Sequence, residues 1–465
     1  MHEESDITIS DSSPLWTWKA LCAAVDIHGE VGPDVTGICI DSRRARPGDL
    51  FVALCGDPGP RFHPSRRSER DGHDYISDAV ANGAVGVLVH DDVERSVPQL
   101  RVVDTLDGLW ALGAAARARL TCPVVAVTGS SGKTTTKTLL AEALAAFATS
   151  GSLNNHLGVP LSLALTPEDA SAVVYEIGTS RPGEIAPLSK LVRPDIAVVL
   201  NVHPAHAEYF ADLDELRAEK LSICTGLSAQ GQLIVEDLID TSGLPETQRL
   251  VNFGRSENAD IRCLSTVGEN ATYRLATSQV SAHIPGGGLH RALSLAAVLA
   301  VLQVLGRAPG PALALSDELI PAGRGRVCRV AGIIIIDDSY NANPASMRAA
   351  LAGLDRSAGP LYAVLGEMLE LGADSERYHR GLANETEGLT GVICVGSGMQ
   401  ALYDLLPVKR QCGYFPAADA TLIERLRELL HPGDRVLIKG SNRVFWAIRF
   451  VELLTRKLEQ QQNSG

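Results

Sequence analysis

The chain has 465 residues, 45% of them hydrophobic, and a formal charge of −13. That length exceeds one ordinary core and calls for about two to four domains, and the composition fits a folded globular protein rather than a disordered one. The acidic balance excludes a nucleic-acid binder, since no basic surplus is available to neutralise a phosphate backbone.

The apolar windows are too short or too interrupted by charge to cross a bilayer, so no membrane insertion is expected. The opening "MHEESDITIS" is acidic and polar where a secretory signal is basic and then apolar. Nine cysteines are scattered without a CxxC or a Cys/His zinc spacing. Reduced thiols and a cytoplasmic location are the expectation.

In chain order, residues 1–105 alternate short apolar runs ("GICIDSR", "GDLFVAL", "AVGVLVH", "QLRVVD") with turn signals. The stretch "DGHDYISDAVANGA" predicts a helix ending at Gly83. This is a small α/β domain, interrupted by a proline-rich, charged stretch at 57–72 that predicts a surface loop. Residues 106–308 read as strand–helix repeats: "PVVAVTG", "SAVVYEIG", "DIAVVLNV" and "GQLIVE", each with helical or turn-rich sequence between them. Continuous apolar strands separated by helices predict a parallel sheet covered on both faces. The apolar helix "LHRALSLAAVLAVLQVLG" closes this block and "GRAPGP" (306–311) reads as a linker. Residues 309–465 repeat the pattern with "AGIIIIDD", "LYAVLGE", "GVICVG" and "DRVLIKG". The fold class is therefore α/β, with three α/β domains in series.

The motif Thr128-Gly129-Ser130-Ser131-Gly132-Lys133-Thr134, with Thr135 after it, follows a strand and opens a helix. That context turns backbone N–H groups and a helix N-terminus toward an anion. Lys133 is expected against the β- and γ-phosphates of ATP, and the Thr134 hydroxyl on Mg²⁺. Val127 stands where a first glycine is usual. Glu176 ends one strand and His206 follows another, at the carboxyl edge where ligands of parallel sheets gather. A hard cation wants oxygen, which favours Glu176. By pattern alone His206 is more often a polar loop residue, and Lys220 on an amphipathic helix is more often a solvated one.

With these residues in place the chain resembles the Mur ligases, most of all the MurF type, over nearly its whole length. The likeness rests on "DSRRARPGDLFVAL", "DGHDYISDAVANGA", "TGSSGKTTT", "NNHLGVPLSL", "EIGTSRPGEI", "NVHPAHAEYF", "IDDSYNANPASM", "VLGEMLELGADSERYH" and "LIKGS". The resemblance implies a central P-loop ATPase domain between a small N-terminal UDP-substrate domain and a Rossmann-like C-terminal domain. It implies ATP and two Mg²⁺ ions as cofactors. Lys133 would meet the transferred phosphate, and Thr134 and Glu176 would hold one Mg²⁺. Lys220, carbamylated by CO₂, would serve a second Mg²⁺ with His206. Arg326, or else Arg324, would reach ATP phosphate, with Asp338 and Asn341 at the nucleotide. Ser42 and Arg43 would take the UDP end of the substrate, and Asn154, Asn155 and Thr179 the muramoyl peptide. The implied reaction joins D-alanyl-D-alanine to UDP-N-acetylmuramoyl-tripeptide in a monomer whose only partners are small molecules.

Four positions depart from the family pattern: Arg291 and Ser294 where asparagine is common, Glu367 for aspartate and Tyr209 for glycine. They leave open a ligase for another acid and amine, of folylpolyglutamate or secondary-metabolite type. A nucleotide-binding regulatory protein without ligase activity is the third reading.

Overall fold

A computed structural model of the chain describes residues 14–55, 70–91, 97–204 and 209–462. Its strands form three sheets.

The first sheet contains β1 (Gly37–Cys39), β2 (Asp49–Val52), β3 (Gly86–Val89) and β4 (Gln99–Arg101), all parallel and side by side in that order. Helix α1 (Trp18–Ala24) starts at Thr17, whose hydroxyl accepts the Ala20 N–H at 3.2 Å. Helix α2 (Ile76–Ala81) stops before Gly83, which adopts a φ of 112°; this is the helix end read from the sequence. Of the predicted 57–72 loop, residues 57–69 lie outside the described residues.

The central domain carries β5 (Val124–Thr128), β6 (Val173–Glu176), β7 (Ile196–Val199), β8 (Gln232–Glu236), β9 (Arg249–Gly254), β10 (Ile261–Val267), β11 (Asn270–Arg274) and β12 (Gln279–His283). Their order is β12-β11-β10-β9-β8-β7-β5-β6. From β6 to β10 every pairing is parallel, while β10, β11 and β12 pair antiparallel at the far edge. The parallel strands β5 to β7 are buried along their whole length, as expected of a sheet covered on both faces. The antiparallel edge is half exposed and its strands mix polar with apolar residues, a pattern the sequence reading passed over.

Helices α3 (Thr105–Arg119), α4 (Lys133–Leu144), α5 (Gly158–Ala164), α6 (Ile185–Val192), α7 (Leu213–Leu221) and α8 (Leu289–Val304) belong to this domain. The first sheet shares a core with α3, α5 and one face of the central sheet; Trp18, Leu50 and Leu88 join Leu109, Val124 and Tyr175 in one buried cluster. Polar contacts reinforce it. The Trp16 indole N–H donates to Ala164 O at 2.8 Å, and the Arg119 guanidinium lies 4.0 Å over the Trp16 ring. On the opposite face, α4 and α8 pack around Leu139, Leu140, Leu295 and Val298. After 306–311 the chain does not leave this core at once, since Ala312 and Leu315 are still buried in it.

The third sheet has β13 (Arg326–Val330), β14 (Ile333–Asp338), β15 (Leu361–Gly366), β16 (Gly391–Val395), β17 (Gln411–Phe415) and β18 (Arg435–Lys439). The order is β13-β14-β18-β15-β16-β17, parallel except for the β13–β14 hairpin. Separate clusters cover its two faces, one around Met347 and Leu351, the other around Leu426 and Leu454. The carboxyl ends of β14 and β18 face those of β5 to β8 across a cleft of about 520 Å³.

Candidate active site

The glycine turn after β5 is built as its sequence requires. Gly132 caps α4 with a φ of 79°, a left-handed backbone that side chains rarely adopt. Lys133 folds back so that its Nζ donates to Gly129 O at 2.8 Å. The loop after β7 braces the turn from below. Asn201 Oδ1 accepts the Ser131 N–H at 2.9 Å, Asn201 O accepts the Ser130 N–H at 3.1 Å, and Ser130 Oγ donates to His203 O at 2.9 Å. Thr128 and Thr134 are buried, and Thr135 lines the cleft.

Glu176 is 2% exposed and is surrounded by donors. Its Oε2 accepts from Thr134 Oγ1 at 2.8 Å; its Oε1 accepts from Ser152 Oγ at 2.9 Å and Asn154 Nδ2 at 2.6 Å. Burial pushes its acid up, but Lys133, Lys137, Arg324 and the Asn154 amide outweigh this and hold the carboxyl below its ordinary range. Lys133 in turn is lowered by burial and by Arg324, against Glu176. The result is a carboxylate and a hydroxyl side by side at the mouth of a phosphate turn, an all-oxygen donor set that fits Mg²⁺.

Lys220, near the end of α7, is 2% exposed, and among the described residues no hydrogen bond or ion pair reaches its amine. Burial, with Lys133 nearby, lowers its pKa to about 7, against the pull of Glu219. This is not the solvated lysine that helix pattern alone suggests. Glu219 is occupied elsewhere, accepting the Gly183 and Ile185 N–H groups at 2.7 and 2.8 Å. His206 lies outside the described residues.

Asn154, Asn155 and Thr179 all line the cleft. Asn155 Oδ1 accepts the Gly158 N–H at 2.9 Å at the start of α5, and Thr179 Oγ1 donates to Arg181 O at 2.6 Å. Across the cleft, Asp338 accepts from Lys439 Nζ at 2.7 Å, and the same amine donates to Asn341 O at 3.1 Å. Of Arg324 and Arg326, Arg324 lines the cleft, and its guanidinium stacks 3.7 Å from the Tyr340 ring. Arg326 begins β13, is exposed and is not among the cleft-lining residues.

Ser42 and Arg43 also lie away from this cleft, whose described lining comes entirely from the second and third domains. Ser42 is buried in a short turn of helix, and Arg43 is exposed and paired with Asp41 at 2.7 Å. Elsewhere in the first domain, Asp71, His73 and His90 bring potential ligand atoms within 4.8 Å of one another. Both His73 nitrogens are engaged, Nδ1 with Asp71 Oδ1 at 2.6 Å and Nε2 as acceptor of the His90 N–H at 3.1 Å, so this cluster acts as a hydrogen-bonded brace.

The departures from the family pattern have local roles. Ser294 lines the cleft near Gly132. Arg291 donates to Gly286 O and, at 2.8 Å, to Arg324 O, tying the start of α8 to the segment that enters the third domain. Glu367 accepts the Gly398 N–H at 2.9 Å outside the cleft. Arg181 stacks 4.5 Å from the Tyr209 ring.

The sequence reading missed Lys137, Ser152, Asn201, Glu236 and Lys439. Lys137 had a usable signal, since it lies one helical turn after Lys133 on the same face; its Nζ donates to Thr149 O and Gly151 O, each at 2.6 Å, fixing the loop that carries Ser152 and Asn154. Glu236 had a weaker one, an acid ending an otherwise apolar strand. Burial first, and then Asp237, raise its pKa to about 7. Its folded value thus exceeds its ordinary 4.5, so the folded chain keeps a proton that the unfolded chain has released, and that stabilisation is lost as pH rises through about 7. Ligand-free wild type should therefore lose stability between pH 5 and 8 relative to Glu236→Gln, by about 2–3 kcal/mol. Denaturant titrations of both chains across that range test this, and parallel curves would refute it.

Comparison with known proteins agrees with this architecture. The family model of the Mur ligase middle domain matches residues 127–302, and that of the Mur ligase glutamate ligase domain matches residues 323–442. The UDP-N-acetylmuramoyl-tripeptide–D-alanyl-D-alanine ligase of Rickettsia prowazekii is 31% identical, over 92% of this chain and 98% of the relative. A crystal structure of MurF from Acinetobacter baumannii superposes with a TM-score of 0.79 at 30% identity, covering 94% of this chain and 98% of that one. MurF from Thermotoga maritima, solved in complex with ADP, superposes with a TM-score of 0.74 at 29% identity over 91% and 98%. A phosphate turn, a buried acid beside its lysine and a two-domain cleft, together with relatives matched almost end to end, make this chain a member of the Mur ligase family, on its MurF branch.

Proposed function

We propose that the chain is an ATP-dependent, ADP-forming ligase that joins D-alanyl-D-alanine to UDP-N-acetylmuramoyl-tripeptide in cytoplasmic peptidoglycan precursor synthesis. One observation carries this reading. Lys133, Thr134 and Glu176 converge at the glycine turn, on one wall of a cleft whose other wall is the Asp338–Lys439 pair of the third domain. A nucleotide held there is placed between two bodies that can close on it.

The chemistry follows from the reactants. A carboxylate is a poor electrophile, so its oxygen first attacks the γ-phosphorus of ATP and ADP leaves, giving an acyl phosphate. The dipeptide amine then attacks the acyl carbon and loses a proton; the tetrahedral adduct collapses to the amide with release of phosphate. Lys133 and Arg324 offset the repulsion between the anionic reactants, and the backbone N–H groups of the turn orient the phosphates. Magnesium bound there would neutralise phosphate charge. Thr134 and Glu176 would hold one ion, and His206 with a carbamylated Lys220 a second. Carbamylation answers a physical oddity of the fold, since a buried amine without a partner is poorly placed to stay cationic. Its nitrogen bonds to the carbon of CO₂ and gives up a proton, turning a misplaced base into an anion.

In this reading residues 1–105, with Ser42 and Arg43, bind the UDP-muramoyl end. Residues 106–308 bind ATP and, through Asn154, Asn155 and Thr179, the peptide. Residues 309–465 complete the nucleotide and amine sites. The enzyme acts as a monomer. Purified chain should release ADP only when both UDP-muramoyl tripeptide and D-alanyl-D-alanine are present. Equal turnover with unrelated amines, or none with this pair, would sink the assignment.

A further inference from the structure

Glu236 is an acid of the cleft that the chemistry above leaves unused. It is 7% exposed, lines the cleft, and among the described residues no hydrogen bond or ion pair reaches its carboxyl. Its carboxyl therefore faces the cleft with its acceptors open to a donor from a ligand.

The sheet order says which part of the nucleotide arrives there. The phosphate end is marked by the turn after β5 and by Glu176 at the end of β6. Glu236 ends β8, with β7 and β5 standing between it and β6. Three strand spacings separate the two acids, about 14 Å, a distance suited to an extended nucleoside triphosphate. Phe253 is its register partner on β9 and lines the same cleft, a flat apolar side chain beside the acid. An aromatic face beside a hydrogen-bond acceptor suits a flat ring that carries an amine better than it suits a sugar.

We propose that Glu236 is a specificity residue for the nucleobase: its carboxyl accepts a hydrogen bond from the 6-amino group of adenine and so favours a base that carries an amine there. This rests on the nucleotide-dependent ligase reading and goes beyond it. A base without that amine would leave the acceptor unpaired.

The test uses the full chain, with ATP and purine riboside triphosphate titrated calorimetrically; the latter keeps the ring, ribose and phosphates and lacks only the 6-amino group. Wild type should bind ATP at least about tenfold more tightly than purine riboside triphosphate. Glu236→Gln, whose amide keeps an acceptor, should retain part of that preference. Glu236→Ala should weaken ATP by about tenfold and leave purine riboside triphosphate where it was. Equal binding of both by wild type overturns the proposal, as does an unchanged preference in Glu236→Ala. Equal weakening of both nucleotides by Glu236→Ala also overturns it, because that places the acid on the ribose. These results would leave the ligase reading intact, whereas binding of neither nucleotide to wild type would bring down both.

Discussion

Lys220→Ala is expected to lose turnover by about 10²- to 10³-fold, with part of the loss restored by millimolar amounts of a small carboxylic acid. The cause is charge rather than packing. The amine is buried, has no partner among the described residues, and is held at about pH 7 by burial and by Lys133. As an ammonium it would repel Lys133; as a carbamate it would supply an anion there instead. A free carboxylate diffusing into the space left by alanine supplies the same charge. Isotopically labelled bicarbonate gives an independent readout, since a carbamate carbon signal should appear in wild type and vanish in Lys220→Arg. Full activity in Lys220→Ala, or absence of the labelled signal in wild type, would rule out carbamylation.

Glu176→Ala should be both inactive and unstable, and the two effects separate with Glu176→Gln. Alanine removes the acceptor from Thr134 Oγ1, Ser152 Oγ and Asn154 Nδ2 at one stroke, and leaves Lys133, Lys137 and Arg324 without their counter-charge. Breaking a buried charge cluster by removing one partner costs about 3–5 kcal/mol, so the unfolding midpoint should fall measurably. Glutamine keeps the volume and one acceptor, and should recover part of that stability while turnover stays down by about 10²-fold or more. The pH dependence has a definite sign. The Glu176 carboxyl titrates below its ordinary 4.5, so its contribution is complete above that value and is lost as pH falls through the folded one. Wild type should therefore lose stability on acidification more steeply than Glu176→Gln. Wild-type turnover in Glu176→Gln would remove the acid from the mechanism.

Much of this was legible along the chain because it depends on short-range pattern. The glycine turn is a strand, a left-handed glycine and a helix mouth, all within residues 124–134, and every part is local. The parallel strands announced themselves as uninterrupted apolar runs. Glu176 was legible because it ends such a run, at the edge where ligands of these sheets collect. The antiparallel edge β10–β12 was not, since half-exposed strands of mixed polarity lack that signature.

The partners of these residues belong to another category. That Asn201 braces the turn, that Lys137 anchors the loop bearing Ser152 and Asn154, and that Arg324 rather than Arg326 faces the cleft, follow from side-chain directions once distant segments meet. Spacing marks Lys137 as a residue on the face of Lys133, but no spacing in the chain encodes these contacts. The residues themselves determined three α/β domains, a phosphate turn and the acid that serves it, because backbone conformation and hydrophobic period act over a few residues. The folded arrangement alone decided that, among the described residues, Lys220 is buried without a partner and Glu236 lines the cleft unpaired, and that the third domain brings Lys439 to Asp338 opposite the turn. Burial and electrostatics act between neighbours in space, and for these residues the neighbours lie up to a hundred positions apart.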